Sequence, residues 1–215
     1  MTQHLVNSIP AMQDPRTVVY NNEACVLYAI PDFFTAEECE MLIAEGTKYL
    51  EPSRVGAPND TTKIDRSVRS SSTAMLSTVS DAAIAQTAIA RIAQAYGHPN
   101  LFADPLQFNT YRVGEEFVAH HDYHDPVANV ARIERDGQRT WTFLMYLNDD
   151  FEGGETEFPE LRTTIKPTRG MLVFWNNLNE DGTVNPATLH QSNPVTRGTK
   201  HMMTKWHKNK ILTEI

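Results

Sequence analysis

The chain has little cysteine, no excess of basic residues and no long hydrophobic run. Cys25 and Cys39 are the only two thiols among 215 residues, too few for a disulfide framework and consistent with a reducing compartment. Lys and Arg number 19 against 27 Asp and Glu, a formal charge of −8. No basic stripe interleaved with aromatics appears, which argues against a nucleic-acid partner. Some basic character gathers from Arg197 through Lys200 and Lys205 to Lys210 and reads as a solvated face. No stretch approaches the roughly 18 apolar residues of a membrane span, so no membrane role is expected. The start Met1-Thr2-Gln3-His4 lacks the basic-then-apolar pattern of a secretory signal. Together these features predict a cytoplasmic chain.

With 40% hydrophobic and 21% charged residues, the composition is that of an ordinary globular protein, long enough for one well-cored domain. No linker or repeat divides it, so one domain over residues 1–215 is expected, with an irregular segment at 1–17. Val18-Val19-Tyr20 and Cys25 to Ile30 read as short strands. Thr35 and Glu38 make a capping-box pattern opening a helix from Ala36 to Tyr49. Glu51 to Arg66, with two Pro, one Gly and Asn59-Asp60, reads as a loop, and its length suggests a lid. A second helix fits Asp81 to Tyr96, with Ile84, Ala88, Ile92 and Tyr96 at helical spacing and Gly97 as its stop. Beyond Gly97 the runs Leu106–Tyr111, Trp141–Leu147, Gly170–Trp175 and His201–Trp206 alternate with turn signals. That pattern predicts an α+β domain, its two early helices packed on one face of a jelly-roll-like sheet core.

The densest group of candidate ligands is His120-His121-Asp122-Tyr123-His124. On a strand, positions i and i+2 share a face, so His120 and Asp122 converge while His121 points away. Two His and one carboxylate on an octahedral metal leave three positions open, the arrangement of non-haem Fe(II) oxygenases, whereas a structural zinc site closes all four, usually with Cys. Alone, His-x-Asp is a short pattern that a surface pair also produces. His190 is the candidate third ligand, read as ending a short strand, and Lys200 follows on the next. An oxygenase that draws electrons from 2-oxoglutarate needs a cation for the far carboxylate of that co-substrate. Lys200 suits the task, with Arg197 its local competitor.

At this point the sequence resembles a family. From about Phe33 to Trp206 it is similar to the prolyl 4-hydroxylases of the 2-oxoglutarate/Fe(II) dioxygenase superfamily, the algal and plant type most closely. The matching pieces stand in the family's order. They are Asp32-Phe33-Phe34-Thr35, then Val68-Arg69-Ser70-Ser71, then Tyr111-x-x-Gly114-x-x-Phe117-x-x-His120-x-Asp122-Tyr123. Next come Gln138-Arg139-Thr140 through Tyr146-Leu147-Asn148 and Gly153-Gly154-Glu155-Thr156-Glu157-Phe158. Last is the run from His190 through Pro194-Val195, Gly198 and Lys200 to Trp206. Single pieces are moderately specific; their combination in order is strong.

The resemblance implies a double-stranded β-helix core, with its motifs over about residues 105–207. It implies His120, Asp122 and His190 as Fe(II) ligands, Lys200 as the 2-oxoglutarate anchor, and Tyr111, Thr142 and Tyr146 as further co-substrate contacts. Arg69, Arg139 and Trp206 match positions that contact peptide. The implied reaction hydroxylates a peptidyl proline at C4, consuming O2 and 2-oxoglutarate and releasing succinate and CO2, with ascorbate in support. The partner is then a proline-containing peptide or protein. The Glu51–Arg66 segment falls where the family has a mobile lid. Phe117 stands in place of a more usual Tyr, and His201 in place of a common Trp, so peptide preference is open. The main alternative is a 2-oxoglutarate oxygenase acting on another protein residue, a free amino acid or a small molecule. A jelly-roll protein that had lost catalysis would lack a ligand or the lysine, and neither is missing.

Overall fold

A computed structural model of the chain describes residues 9–22, 24–57, 61–97 and 103–210. A 3-10 turn at Pro10–Gln13 precedes strands β1 (Val18–Asn22) and β2 (Val26–Ile30) and helix α1 (Ala36–Gly46). Short strands β3 (Glu51–Pro52), β4 (Val55–Ala57), β5 (Thr61–Lys63) and β6 (Ser72–Met75) follow, then helices α2 (Leu76–Val79) and α3 (Ala83–Tyr96). Next are β7 (Gln107–Tyr111), β8 (Phe117–His120), helix α4 (Val130–Asp136), β9 (Arg139–Tyr146), β10 (Glu152–Gly153), β11 (Thr156–Phe158) and β12 (Thr163–Ile165). The last strands are β13 (Leu172–Asn176), β14 (His190–Ser192), β15 (Val195–Arg197) and β16 (Lys200–Lys208). No helix among the described residues is long and apolar enough to cross a membrane.

Two sheets dominate, one of eight strands in the order β1-β2-β13-β9-β16-β7-β6-β3 and one of four in the order β12-β11-β14-β8. Their pairings are antiparallel. Strand alternation sorts the side chains of β9 between two cores. Phe143 and Met145 join Leu42, Ala88, Ile92 and Tyr96 beneath α1 and α3. Leu144 and Tyr146 join Phe158, Ile165 and Trp175 in the second core. Because both faces are covered, β9 reads as a nearly unbroken apolar run. The architecture is the expected α+β jelly roll, the double-stranded β-helix core of 2-oxoglutarate oxygenases, with helices on one face of the larger sheet.

The helix expectations hold with small shifts. The capping box is formed: the Glu38 amide donates to Thr35 Oγ1 at 3.2 Å, and the Thr35 amide donates to a Glu38 carboxylate oxygen at 2.9 Å. Helix α1 stops at Gly46 and continues as a 3-10 turn over Thr47–Tyr49, while α3 starts at Ala83 and ends on left-handed Gly97. Gly46 lies where α1 crosses β7, and a Cβ there would run into the Phe108 ring. Gly46→Ala is therefore expected to destabilise the protein by about 1–3 kcal/mol through overpacking, read as a Tm several degrees lower.

Three expectations are corrected. Glu51–Arg66 is not a plain loop: Glu51–Pro52 pairs with β6, and β4 pairs with β5 as a two-stranded ribbon. Residues 58–60 lie outside the described residues. Short strands of mixed polarity paired at an edge leave no apolar period to read. Within the segment expected to be irregular at 1–17, residues 1–8 are outside the described residues, but Ile9 and Ala11 are buried in the core. The basic C-terminal stretch is not a solvated face, since Lys200, Lys205 and Lys208 on β16 are all buried.

Candidate metal centre

Strand β8 ends at His120 and β14 begins at His190, and the antiparallel ladder sets these two residues opposite each other. Their ring centroids are 4.4 Å apart. Asp122 lies just past the end of β8, in a bend. His120 rather than His121 therefore stands with Asp122, as alternation predicts, although the pair is not on one continuous strand. The donor atoms of His120, Asp122 and His190 all lie within 4.8 Å of one another. His121 turns away and donates from Nε2 to the Pro186 carbonyl at 3.1 Å.

Each imidazole is aimed by its other nitrogen. His120 Nδ1–H donates to the Val118 carbonyl at 2.8 Å, and His190 Nδ1–H donates to the Thr188 carbonyl at 2.9 Å. That fixes the tautomers and leaves each Nε2 as a lone-pair donor, as metal-bound histidines require. The rings are also clamped. Phe117 stacks on His120 with centroids 3.5 Å apart and 12° between planes, and the Arg69 guanidinium lies 4.8 Å from the Phe117 centroid. Phe158 stacks on His190, and Trp175 meets it edge-on.

The Nε2 atoms of His120 and His190 stand 3.7 and 3.6 Å from the Asp122 carboxylate oxygens. These separations are long for hydrogen bonds but suit donors bridged by one ion with bonds of about 2.1 Å. Burial and the neighbouring His190 push His120 down to about 3. Burial alone would raise the Asp122 carboxyl, yet His190 and His120, helped by Arg139 and Trp206, hold it below its ordinary value. At neutral pH His120 and Asp122 are thus already deprotonated for a metal. Both cysteines are free and lie in the two hydrophobic cores, so no thiolate closes the set. Two imidazoles and one carboxylate with open positions fit Fe(II).

Lys200 is the first residue of β16, paired with Tyr111 of β7. Its side chain is fully buried. Nζ donates to the Gly154 carbonyl at 2.7 Å and to Ser192 Oγ at 2.8 Å, and it sits 5.1 and 5.7 Å from the Tyr111 and Tyr146 ring centroids. Two of its three N–H groups are thereby used. Burial, only partly opposed by Glu155, lowers the ammonium to about 7. The competitor Arg197 is exposed and pairs with Glu152. His190 opens its strand rather than ending it, and β15 intervenes before Lys200.

The other expected residues divide. Tyr111, Arg69 and Trp206 line the same cavity as the triad, with Asn109, Phe117 and Thr156. Tyr146 donates its hydroxyl to Thr156 Oγ1 at 2.7 Å. Arg69 is held by Ser71, Gln107 and Asn109. Arg139 does not line the cavity. It pairs with Asp104, donates to the Asp122 carbonyl, and lies 3.9 Å from the Trp206 ring centroid. Thr142 also stays behind the cavity wall, donating to Asp122 Oδ2 at 2.8 Å. Sequence reasoning missed Ser192, Asn177 and Asp104. Only Ser192 carried a local signal, two residues after His190.

The sequence profile of the 2OG-Fe(II) oxygenase superfamily matches residues 106–208. Probable prolyl 4-hydroxylase 8 of Arabidopsis thaliana is 32% identical over 213 residues, covering 90% of this chain and 68% of that protein. Prolyl 4-hydroxylase 1 of the same plant is 32% identical over 210 residues, covering 91% and 72%. The fold matches that of a viral collagen prolyl hydroxylase from Paramecium Bursaria Chlorella virus-1, solved as a 2OG complex. There the TM-score is 0.57 at 23% identity, over 85% of this chain and 94% of that one. On sequence, fold and ligand set together, the chain belongs to the prolyl 4-hydroxylases of the 2-oxoglutarate- and Fe(II)-dependent dioxygenases.

Proposed function

We propose that this protein hydroxylates peptidyl proline at C4, consuming O2 and 2-oxoglutarate and releasing succinate and CO2. One observation carries the reading: the buried Lys200 ammonium lies against two residues of the cavity that the His120–Asp122–His190 triad lines. Tyr111 and Ser192, the ring and hydroxyl beside Lys200, line it together with the triad. Iron bound by the triad supplies the redox chemistry that couples oxidation of the keto acid to oxygen insertion into the target C–H bond.

The chain's own residues do the rest. Lys200 holds the far carboxylate of 2-oxoglutarate by charge and its remaining N–H, with Tyr111 walling the pocket and Tyr146 behind it, bonded to the wall residue Thr156. The rings of Phe117, Phe158 and Trp175 keep the ligand imidazoles still and exclude water. On the open side, Arg69 and Trp206 offer polar and aromatic surface to a peptide, and Arg139 stiffens Trp206 from behind. The relatives' names support a prolyl target, and the ribbon of β4 and β5 stands as the candidate lid. We read residues 1–215 as one domain, and the two free buried thiols suit the cytoplasm.

The test is anaerobic loading with Fe(II) and 2-oxoglutarate, then aerobic turnover on a panel of proline-rich peptides followed by mass spectrometry. A gain of one oxygen atom localised to proline is the expected result. Succinate formation across a broad panel with no oxidised proline would shift the assignment to another residue or a small molecule.

A further inference from the structure

Behind the metal triad runs a file of buried polar groups that no substrate reaches. Trp175 Nε1–H donates to Asn177 Oδ1 at 3.0 Å. Asn177 Nδ2–H donates to Thr142 Oγ1 at 2.9 Å. Thr142 Oγ1–H donates to Asp122 Oδ2 at 2.8 Å. Trp175, Asn177 and Thr142 are all 0% exposed, and Asp122 is 3% exposed.

We propose that Thr142 and Asn177 are positioning residues that orient the Asp122 carboxylate toward the metal. The inference rests on the triad being a metal site. The direction of every bond in the file is forced. An indole N–H can only donate, so Asn177 must turn its oxygen to Trp175 and its NH2 to Thr142. Thr142 Oγ1 thus accepts from Asn177, and its single proton has Asp122 as its partner. An ionised carboxylate can only accept, so the file ends there.

The scaffold holds each member. Thr142 and Trp175 are register partners across β9 and β13, and the Asn177 amide is tied to the Thr140 carbonyl at 2.7 Å. The hydroxyl occupies Oδ2, on the side of His190, leaving Oδ1 on the side of His120 as the less encumbered donor. Partners of this kind behind a ligand typically govern metal affinity by about 10–100-fold. The geometry also reassigns Thr142, which the resemblance had placed against the co-substrate.

The test is anaerobic titration of the whole protein with Mn(II) and Fe(II), with far-UV circular dichroism and Tm as the check on folding. Thr142→Val keeps the shape but removes both the donor to Asp122 and the acceptor of Asn177. It is expected to raise the metal Kd by about 10–100-fold, with Thr142→Ser within about 3-fold of the parent because the hydroxyl is kept. Should Thr142→Val fold poorly, Asn177→Leu frees the Thr142 hydroxyl from its fixed donor and is expected to raise the same Kd by about 3–10-fold. An unchanged metal Kd in folded Thr142→Val or Asn177→Leu overturns the proposal, and doubly so if Thr142→Val instead raises the KM for 2-oxoglutarate. A parent protein that takes up neither ion overturns the metal reading itself, whatever the variants do.

Discussion

Lys200→Ala is expected to raise the KM for 2-oxoglutarate by about 10²–10⁴-fold, because removing one partner of a buried, hydrogen-bonded charge pair costs about 3–5 kcal/mol. The ammonium is fully buried between Gly154 and Ser192. Arg197 is directed to Glu152 on the surface. Lys200→Met fills most of the vacated volume and separates loss of charge from collapse of the pocket. The pH profile gives an independent signature. Burial lowers the ammonium to about 7 in the free protein, and an incoming carboxylate prefers the charged form. The KM for 2-oxoglutarate is therefore expected to be flat below neutrality. Above it, KM should rise by about tenfold per pH unit while the free amine loses its proton and the bound one keeps it. In Lys200→Met that limb should vanish. A KM that ignores both pH and the substitution would remove Lys200 from the co-substrate site.

His190→Ala is expected to lower turnover by about 10³-fold or more, since a lost ligand forfeits several kcal/mol of metal-borne catalysis. The matching readout is metal content after Fe(II) loading and desalting, which should fall well below one ion per chain. His190 is buried among Phe158 and Trp175, so Asp122→Asn provides a control of nearly unchanged volume. It removes the anionic donor, and loading should fail there too. Full metal content and turnover in both variants would mean that the triad is not the metal site.

How much of this was legible beforehand follows the range of the interactions. The helix at Ala36 could be read because its cap, Thr35 with Glu38, is local. The apolar runs at β9 and β13 were legible because burial on both faces leaves a nearly unbroken signature, whereas the buried lysines of β16 broke it. His120 with Asp122 was legible as a spacing, although Asp122 proved to lie past its strand. His190 and Lys200 were picked out by each other's company and tied to their roles by the resemblance, because the ladder between β8 and β14 joins residues 70 positions apart and no local pattern encodes that register. Asn177 was invisible for a related reason. A buried amide is chosen by the partners that satisfy it, and those partners, Trp175 and Thr142, come together only after two strands have paired. The short helix α4 escaped because none of its residues is buried, so no amphipathic stripe marks it.

Lys200 also braces the frame. It springs from the eight-stranded sheet, and its ammonium is fastened to Ser192 on the four-stranded sheet that carries His120 and His190. The cation is therefore a fixed post rather than a swinging arm, and its separation from the ligand triad is a dimension of the scaffold. Any diacid that reaches from post to triad is gauged by that dimension. If Lys200 anchors the co-substrate as proposed, a keto diacid one carbon shorter or longer is expected to leave one end unmet, and the bracing that keeps the sheets in place would also act as a ruler for the co-substrate.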